Sequence, residues 1–350
     1  MKYNNNIDVI IPCYNVEDHI LYRCLASIAC QMVTSEITVT IVDDASETEH
    51  YEDVAKHFED VLDINILRYE KNGGPGVARQ YGLDHTSNGF VTFIDADDTF
   101  MGAYALYMLR ESMDAQGHRF AMTTSTFLQV IEKPDDAPAD APSVMFAEHP
   151  GDMVWVFGKM YRREFIDKLG IRFHPTSRAN EDNGFNKIFQ LVTTHENGIN
   201  IMPVPTYYWH STENSITRAN DCEYSYGSSK RDSFYGYVEN MIYAIKEARK
   251  KAPYNGQINM FAVDCMLNLY EYYIECYARA EKHSDQNWEY CKWFYEEIFK
   301  DIEKTIPEEV FMEQYNNMMR NAYMGNKLAG IIPRYGIKEF LAKLKEESEE

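Results

Sequence analysis

Three acids that closely follow an apolar run are the clearest candidates for chemistry in this sequence. They are Asp95, Asp97 and Asp98, and the run before them is typical of a buried β-strand. Carboxylates this close together repel one another, and burying them without partners would be costly. A hard cation such as Mg²⁺ or Mn²⁺ removes that repulsion and is commonly shared with substrate phosphates. The alternative interpretation is a solvated acidic turn or a helix cap.

A second acidic pair, Asp43 and Asp44, also follows an apolar run. A carboxylate at this point could accept hydrogen bonds from the N–H groups of a nucleobase, although an ordinary turn has the same composition. Tyr14 and Asn15 follow the first apolar run of the chain. They place an aromatic ring and an amide where a base could pack.

Residues 72–79 form a glycine-rich segment that resembles a phosphate-binding loop at first sight. The segment lacks the Gly-Lys-Ser/Thr of a P-loop, and its GxGxxG spacing fails because Arg79 stands at the last position. A glycine-rich turn that leads into a helix and presents Arg79 still suits an anionic ligand. A flexible turn with a surface arginine is the alternative.

Glu181 and Asp182 follow a polar stretch and precede a helical pattern. Acids are favoured at helix starts for their capping ability alone. The functional interpretation is a general base that takes the proton from an incoming hydroxyl group.

Residues 207–210 form the aromatic run Tyr-Tyr-Trp-His. Aromatic faces stack well on the apolar faces of sugars, and polar neighbours could orient such a ligand. Alternatively the rings belong to the core, and His210 is a structural histidine with satisfied hydrogen bonds.

The elements that must position these residues alternate between strands and helices. Continuous apolar strands separated by helices indicate an α/β fold with a mostly parallel sheet covered on both faces. In such sheets the ligand crevice lies at the carboxyl ends of the strands, which is where the acidic clusters stand. Strand patterns fade after Asp221, and the rest of the chain is mainly helical in pattern. We therefore predict a first domain over residues 1–220 and a helical region over residues 221–350, for acceptor recognition or self-association. The predicted strands of the first domain lie at residues 7–11, 37–42, 64–67 and 90–94.

Composition narrows the possible functions of the 350-residue chain. The hydrophobic content of 45% supports a sizeable core, so disorder over most of the length is not expected. A net charge of -21 disfavours an extended nucleic-acid interface, because such surfaces are basic. The scattered cysteines, odd in number, are typical of reduced thiols. Without an apolar run long enough to cross a bilayer, and without a secretion signal, a cytoplasmic location is expected.

Taken in order, these motifs closely resemble those of the family 2 glycosyltransferases with the GT-A (Rossmann-like) fold. The resemblance covers roughly residues 5–218 and lies in the ordered set rather than in any single motif. The matching segments are residues 9–15, 41–46, 72–82, 93–98, 158–165, 180–182 and 214–217.

This resemblance implies a metal-dependent transfer of a sugar from a nucleotide-sugar donor, commonly a UDP-sugar, to an acceptor hydroxyl with inversion. It implies Asp182 as the catalytic base, with Glu181 beside it. The metal, Mn²⁺ or Mg²⁺, is expected on Asp97 and Asp98, with His210 as a further candidate ligand. Lys159 and Arg162 could help to shape the site. The residues expected to bind the nucleotide sugar are Pro12, Tyr14, Asn15, Asp44, Gly74, Arg79, Asp95 and Ala96.

Departures from the family pattern bear on the acceptor. Gln80 stands where the family commonly has Asn, and Gly102 stands where a proline often follows the DxD motif. The sequence has no Gln-x-x-Arg-Trp, which disfavours a membrane-embedded polysaccharide synthase. A glycan, a lipid-linked molecule or another hydroxyl compound could be the acceptor. Residues 331–344 form an amphipathic pattern that fits peripheral membrane contact or, alternatively, a packing helix.

Two other functions remain open at this point. A sugar nucleotidyltransferase shares the α/β layout but would carry a basic glycine-rich loop after the first strand, which residues 13–19 lack. A non-catalytic carbohydrate- or nucleotide-binding module would not need to keep Asp97, Asp98 and Asp182.

Overall fold

The computed structural model describes residues 3–48, 51–131, 144–147, 151, 153–193, 198–211, 230–278, 284–324, 328, 331 and 333–349. The strands are β1 (Ile7–Cys13), β2 (Ile37–Asp43), β3 (Asp63–Arg68), β4 (Phe90–Phe93), β5 (Thr99–Phe100), β6 (Met122–Ile131), β7 (Val144–Ala147), β8 (Lys159–Arg162) and β9 (Ile199–Ser211). The helices of the first region are α1 (Asp18–Ala29), α2 (Tyr51–Lys56), α3 (Pro75–Asp84), α4 (Ala105–Ser112), α5 (Arg163–Leu169) and α6 (Glu181–Val192). Those of the second are α7 (Lys230–Lys251), α8 (Gly256–Ala278), α9 (Ser284–Phe294), α10 (Lys300–Ile302), α11 (Glu308–Met324) and α12 (Ile337–Glu349).

The strands form a mixed sheet in the order β3-β2-β1-β4-β8-β6-β9-β5, with β7 on β6. The first four strands in this order are parallel, as the sequence predicts from apolar runs separated by helices. Beyond β4 the pairing becomes mixed: β8 is antiparallel to β4 and β6, whereas β6 and β9 are parallel. The predicted α/β class is therefore correct, and its parallel part is concentrated in the first hundred residues.

The parallel strands end at the same edge of the sheet. Cys13 of β1 pairs with Asp43 of β2, which in turn pairs with Arg68 of β3. Ile10 pairs with Phe93 at the end of β4, so the loop that follows β4 lies beside the end of β1. This register places the loops that carry the predicted nucleotide site along one rim.

Helices cover both faces of the sheet, and two apolar clusters form the core. One cluster lies between the sheet and α1, α2 and α4. The other begins on the opposite face of the sheet and continues without a break through α6, α7, α8 and α9 to α12. The helical region is therefore packed directly on the α/β region through α6 and α7. The predicted boundary at residue 220 lies outside the described residues.

Helix α12 contains most of the predicted amphipathic pattern. Its apolar side chains Ile337, Phe340, Leu341 and Leu344 are buried in the shared core. Because protein already covers its apolar face, α12 is a packing helix. This was the alternative to membrane contact. Among the described residues, no helix combines the length and apolar composition that crossing a membrane requires.

Candidate active site

The loops after β1 and β2 interlock at the carboxyl rim of the sheet. The backbone N–H of Asn15 donates to the Ser46 hydroxyl at 2.9 Å, and the Glu47 N–H donates to Asn15 Oδ1 at 2.8 Å. Asn15 and Ala45 both adopt the left-handed conformation, with φ of 50° and 61°. Such conformations in non-glycine residues are held by their surroundings and cluster at functional sites. Asn15 therefore shapes the rim through its loop contacts.

Asp44 holds the glycine-rich turn against the rim. Its carboxylate oxygens accept hydrogen bonds from the backbone N–H groups of Gly73 (2.6 Å) and Gly74 (2.8 Å). Gly74 has φ of 88°, a backbone conformation that glycine adopts without steric cost, and Pro75 begins helix α3 directly after it. Asp44 is 3% exposed and each of its oxygens has a backbone donor, so its predicted contact with a base edge stays a prediction.

Pro12 and Tyr14 stand at the opening of this rim. Pro12 is partly buried in β1, whereas 49% of Tyr14 is exposed. An exposed ring in the loop after β1 is available for stacking on a planar ligand. The nucleotide-binding roles of Pro12 and Tyr14 stay predictions.

Arg79 joins the two acidic motifs of the sequence. Its Nη2 donates to Asp95 Oδ1 at 2.6 Å, and its Nη1 donates to Glu181 Oε1 at 2.7 Å. The guanidinium is 5% exposed, and the neighbouring acids Asp95 and Glu181 raise its pKa against the opposing effect of burial. Gly76 permits this approach, since a Cβ there would lie 2.5 Å from Glu181 Cγ. One buried cation thus brings the loop after β4 to the start of α6.

Asp182 lies next to this bridge with a perturbed acidity. Burial, followed by the charge of Glu181, raises the pKa of Asp182 to about 8, while Arg79 acts in the opposite direction. One carboxylate oxygen accepts the backbone N–H of Asn183 at 2.8 Å. A carboxyl group with a pKa near neutrality is well matched to accept a proton from a hydroxyl group during a reaction.

Strand β9 anchors the loop of acids after β4. The Tyr207 hydroxyl donates to Asp98 Oδ2 at 2.7 Å and accepts the backbone N–H of Asp95 at 3.2 Å. The backbone N–H of His210 donates to Asp98 Oδ1 at 2.7 Å. Asp98 is 1% exposed, and burial together with the nearby acids raises its pKa well above the usual value. Both oxygens of Asp98 are therefore engaged in holding the loop.

The remaining acids differ from Asp98 in their exposure. The Asp95 side chain is 34% exposed, Asp97 is partly exposed, and Ala96 between them is buried. Arg23 of α1 fixes the turn by donating to the Asp97 carbonyl at 2.6 Å. The loop thus keeps Ala96 in the core and leaves the two flanking carboxylates partly exposed.

These oxygens have the chemistry that a divalent cation requires. Within the described residues no group of three or more His, Cys, Asp or Glu side chains is close enough to form a complete cage. Mg²⁺ commonly takes only one or two carboxylates and completes its shell with water and substrate phosphates. Asp95 and Asp97, the partly exposed acids of this loop, have the oxygen donors that such a shared site uses.

His210 lies beside this loop in a neutral form. Burial and the nearby Arg23 lower its pKa to about 4, and its Nε2 lies 3.0 Å from the Thr99 hydroxyl. A neutral imidazole is the form that binds metals, but its Nε2 here has a hydroxyl partner. The hydrogen bonds of His210 and Asp98 thus favour a role in anchoring the loop, and their predicted metal-binding roles stay predictions.

Tyr207 belongs to the core rather than to a sugar-stacking surface. It is 0% exposed, and its ring stacks on Phe157 at 4.6 Å between centroids. Phe157 in turn stacks on Trp155 at 5.7 Å, and Trp155 lies against Trp209. The two tryptophans are partly exposed. Of the two interpretations of the aromatic run, the core interpretation is therefore correct for Tyr207. The partly exposed aromatic rings of this cluster are Trp155 and Trp209.

Arg162 lies away from the site. It pairs with Phe90 at the start of β4 because β8 runs antiparallel to that strand. Its Nη2 donates to the Met113 carbonyl and to Asp114, at 3.0 and 2.8 Å. The expectation that Arg162 helps to shape the site is therefore wrong, because these contacts hold it at the other end of β4. Lys159, at the other end of β8, is buried.

Two arginines that support the loops of the site lie outside every motif recognised in the sequence. Arg68 donates to Asp43 at 2.6 Å and to the Ser46 carbonyl at 2.7 Å, and so supports the loop after β2. Its position at the end of β3, in register with Asp43, is the signal that could have identified it. Arg23 gives no such signal, because only the tertiary packing of α1 places it under the acid loop. The motif at residues 214–217 lies outside the described residues.

Comparisons with known proteins agree with this architecture. Residues 8–137 match the sequence profile of glycosyl transferase family 2. Glycosyltransferase GlyA of Streptococcus pneumoniae serotype 4 is 35% identical over 117 residues, which cover 33% of this chain and 16% of GlyA. The poly(ribitol-phosphate) beta-N-acetylglucosaminyltransferase TarS of Staphylococcus aureus is 36% identical over 92 residues, covering 26% of this chain and 16% of TarS. The chain thus matches well under a third of the length of these curated relatives.

The fold similarity extends further than the sequence similarity. The crystal structure of S. aureus TarS 1-349 in complex with UDP-GlcNAc is similar with a TM-score of 0.66 at 18% sequence identity. The match covers 92% of each chain, so it includes the helical region as well as the sheet. The fold is the predicted GT-A fold with a mainly helical C-terminal region.

Proposed function

Because residues 8–137 match the profile of glycosyl transferase family 2, we propose that the protein transfers a sugar from a nucleotide-sugar donor to an acceptor hydroxyl with inversion. The observation that carries this proposal is the Arg79 bridge. Its two hydrogen bonds place Asp95, at the end of β4, beside Glu181 at the start of α6. The bridge joins the loop after β4 to the residue directly before Asp182, which supports a shared site for donor and base.

The donor in this proposal is a UDP-sugar. Tyr14 would stack on the base, and Asp44 would accept a hydrogen bond from its N–H edge. The start of α3 favours negative charge through the helix dipole, while the N–H groups of Gly73 and Gly74 are already bound to Asp44. UDP-N-acetylglucosamine is the first donor to test, since the similar TarS 1-349 structure was solved in complex with UDP-GlcNAc.

Asp95 and Asp97 would hold a Mg²⁺ or Mn²⁺ ion together with the donor phosphates. When bound, this ion supplies positive charge that stabilises the departing nucleoside diphosphate. Arg79 would fix the orientation of the Asp95 carboxylate through its hydrogen bond to Oδ1. Tyr207 and Asp98 contribute by holding the backbone of the loop in place.

Asp182 would act as the general base. Its ionised carboxylate takes the proton of the acceptor hydroxyl while the acceptor oxygen attacks the anomeric carbon. The bond from the anomeric carbon to the phosphate oxygen breaks on the opposite side, which inverts the configuration. With a pKa of about 8, this base has strong proton affinity and is about one-tenth ionised at pH 7.

The acceptor in this proposal is a glycan hydroxyl, free or lipid-linked. Trp155 and Trp209 provide partly exposed aromatic rings near the acid loop, suited to the apolar face of a sugar. Trp155 is tied to the base helix, since Asn186 of α6 donates to the Trp155 carbonyl at 2.8 Å. A nucleic-acid acceptor is disfavoured by the net charge of -21.

The test is a donor panel applied to the purified full chain with Mn²⁺. UDP-N-acetylglucosamine, other UDP-sugars, GDP-sugars and dTDP-sugars are each incubated with mixed glycan acceptors, and products are identified by mass spectrometry. We expect release of UDP with one UDP-sugar and a mass increase of the acceptor. Release of pyrophosphate from a nucleoside triphosphate and a sugar phosphate would instead support a nucleotidyltransferase. Donor binding without turnover would support a non-catalytic module.

A further inference from the structure

Helix α7 of the C-terminal region supports the segment that presents Glu181 and Asp182. This segment, residues 177–180, enters α6 through Asn180, which has a left-handed backbone with φ of 60°. Asn180 makes no side-chain capping hydrogen bond to the helix. Contacts from outside α6 add to the backbone hydrogen bond from the Gly184 N–H to the Asn180 carbonyl in setting the entry of the acidic pair.

Asn240 of α7 supplies those contacts. It is 0% exposed, and its Nδ2 donates to Ser177 Oγ at 2.8 Å and to the carbonyls of Ala179 and Gly236, each at 2.9 Å. Carbonyl oxygens only accept, so the amide nitrogen must face them. Asn240 thus ties the backbone one residue before Asn180 to the backbone of α7.

Two glycines bring the helices close enough for this tie. A Cβ on Gly184 of α6 would lie 2.5 Å from Asn240 Oδ1, and a Cβ on Gly236 of α7 would lie 2.6 Å from the Ala179 carbonyl oxygen. No larger residue fits at either contact without displacement of the backbone or of Asn240. The contact has therefore little room to shift by an ångström.

We propose that Asn240 is a positioning residue for the general base, which rests on the function proposed above. It fixes residues 177–180, and through them the direction in which Asp182 leaves the start of α6. The helical region is then part of the catalytic apparatus, whatever its contacts with the acceptor. A displacement of about 1 Å of a reacting group costs about 100-fold in rate.

The experiment compares Asn240→Ala with Asn287→Ala in the full chain. Asn287 is likewise a buried asparagine of the helical region, at 2% exposure, but it lies on α9 and has no hydrogen bond to residues 177–182 among those described. For Asn240→Ala we expect kcat to fall about 10- to 100-fold while the donor KM changes less than about twofold. Asn287→Ala should keep kcat within about twofold. Calorimetric titration with UDP should give a stoichiometry near one in both variants, which excludes loss of folded protein as the cause.

Gly184→Ala gives a second test of the same contact, both alone and in a double-mutant cycle with Asn240→Ala. The added methyl group presses on Asn240 Oδ1, so Gly184→Ala alone should lower kcat. In the Asn240→Ala background that oxygen is gone, and the same substitution should have a smaller effect. Additive effects, an unchanged kcat in Asn240→Ala, or an equal fall in Asn287→Ala would overturn the proposal. No turnover by the wild-type chain with any donor would instead contradict the proposed function.

Discussion

The two sides of the proposed active site, a donor side and a base side, are built in different ways. The donor side consists of the loops after β1 and β2 and the glycine-rich turn, which hold one another through short hydrogen bonds such as those of Asp44. The base side consists of residues 177–182, which are held by Arg79 from α3 and by Asn240 from α7. The donor side is fixed by the register of neighbouring parallel strands. The base side is fixed by contacts between residues that are sixty to a hundred positions apart.

Asp182→Asn should produce the largest loss of activity, and it should impair the base side without affecting the donor side. We expect kcat to fall about 10²- to 10⁴-fold, because the amide cannot take the acceptor proton. The Kd for UDP should stay unchanged, since the donor side is intact. Steady-state kinetics and calorimetry measure the two quantities. An unchanged kcat would show that another group accepts the proton.

The same variant should change the pH dependence of stability. With its pKa raised to about 8, Asp182 binds a proton in the folded state that the unfolded chain releases near pH 4. Its contribution to stability is present below about pH 4 and is lost as the pH rises through about 8. The melting temperature of Asp182→Asn relative to wild type should therefore be higher at pH 9 than at pH 5. A constant difference across this range would contradict the raised pKa.

Removal of the metal, or Asp97→Ala, should break the donor side. Loss of a cation that stabilises the leaving diphosphate costs several kcal/mol, so we expect turnover to fall about 100-fold or more. Added EDTA should have the same effect, and excess Mn²⁺ should restore the wild-type chain alone. Turnover that is unchanged by EDTA would favour a metal-independent mechanism.

Arg79→Ala should disconnect the two sides. It leaves Glu181, a side chain with 7% exposure, beside Asp182 without its cation. Breaking a buried ion pair by removing one partner costs about 3–5 kcal/mol. Denaturant unfolding should show this loss, and Arg79→Lys should recover only part of it because an ammonium cannot span both acids. Full recovery by lysine would show that charge alone matters.

Tyr207→Phe should have the smallest effect, because it removes one hydroxyl and keeps the stacked ring. Asp98 loses a donor at 2.7 Å, and such losses cost about 1–3 kcal/mol. We expect a modest loss of unfolding free energy and a higher donor KM through a looser acid loop. An unchanged donor KM would separate the anchoring of this loop from donor binding.

Sequence patterns predict the donor side well and the base side only in part. The four parallel strands, the loops that follow them and Asp44, Arg79 and Asp95 all stand where strand-end reasoning places them. That reasoning cannot find Asn240, whose only signal is an asparagine within a long helical pattern. It also could not separate Asp98 from Asp97, because the difference lies in the hydrogen bonds that β9 provides.

The unbroken apolar cluster from the sheet through α6 to α12 has a consequence for protein engineering. Chimeras that exchange residues 1–220 with those of a relative would join two halves of one hydrophobic interior. Such hybrids would need repacking along α6 and α7 before any change of acceptor preference could be measured. Exchanges limited to surface loops leave that interior intact and offer the simpler route to altered specificity.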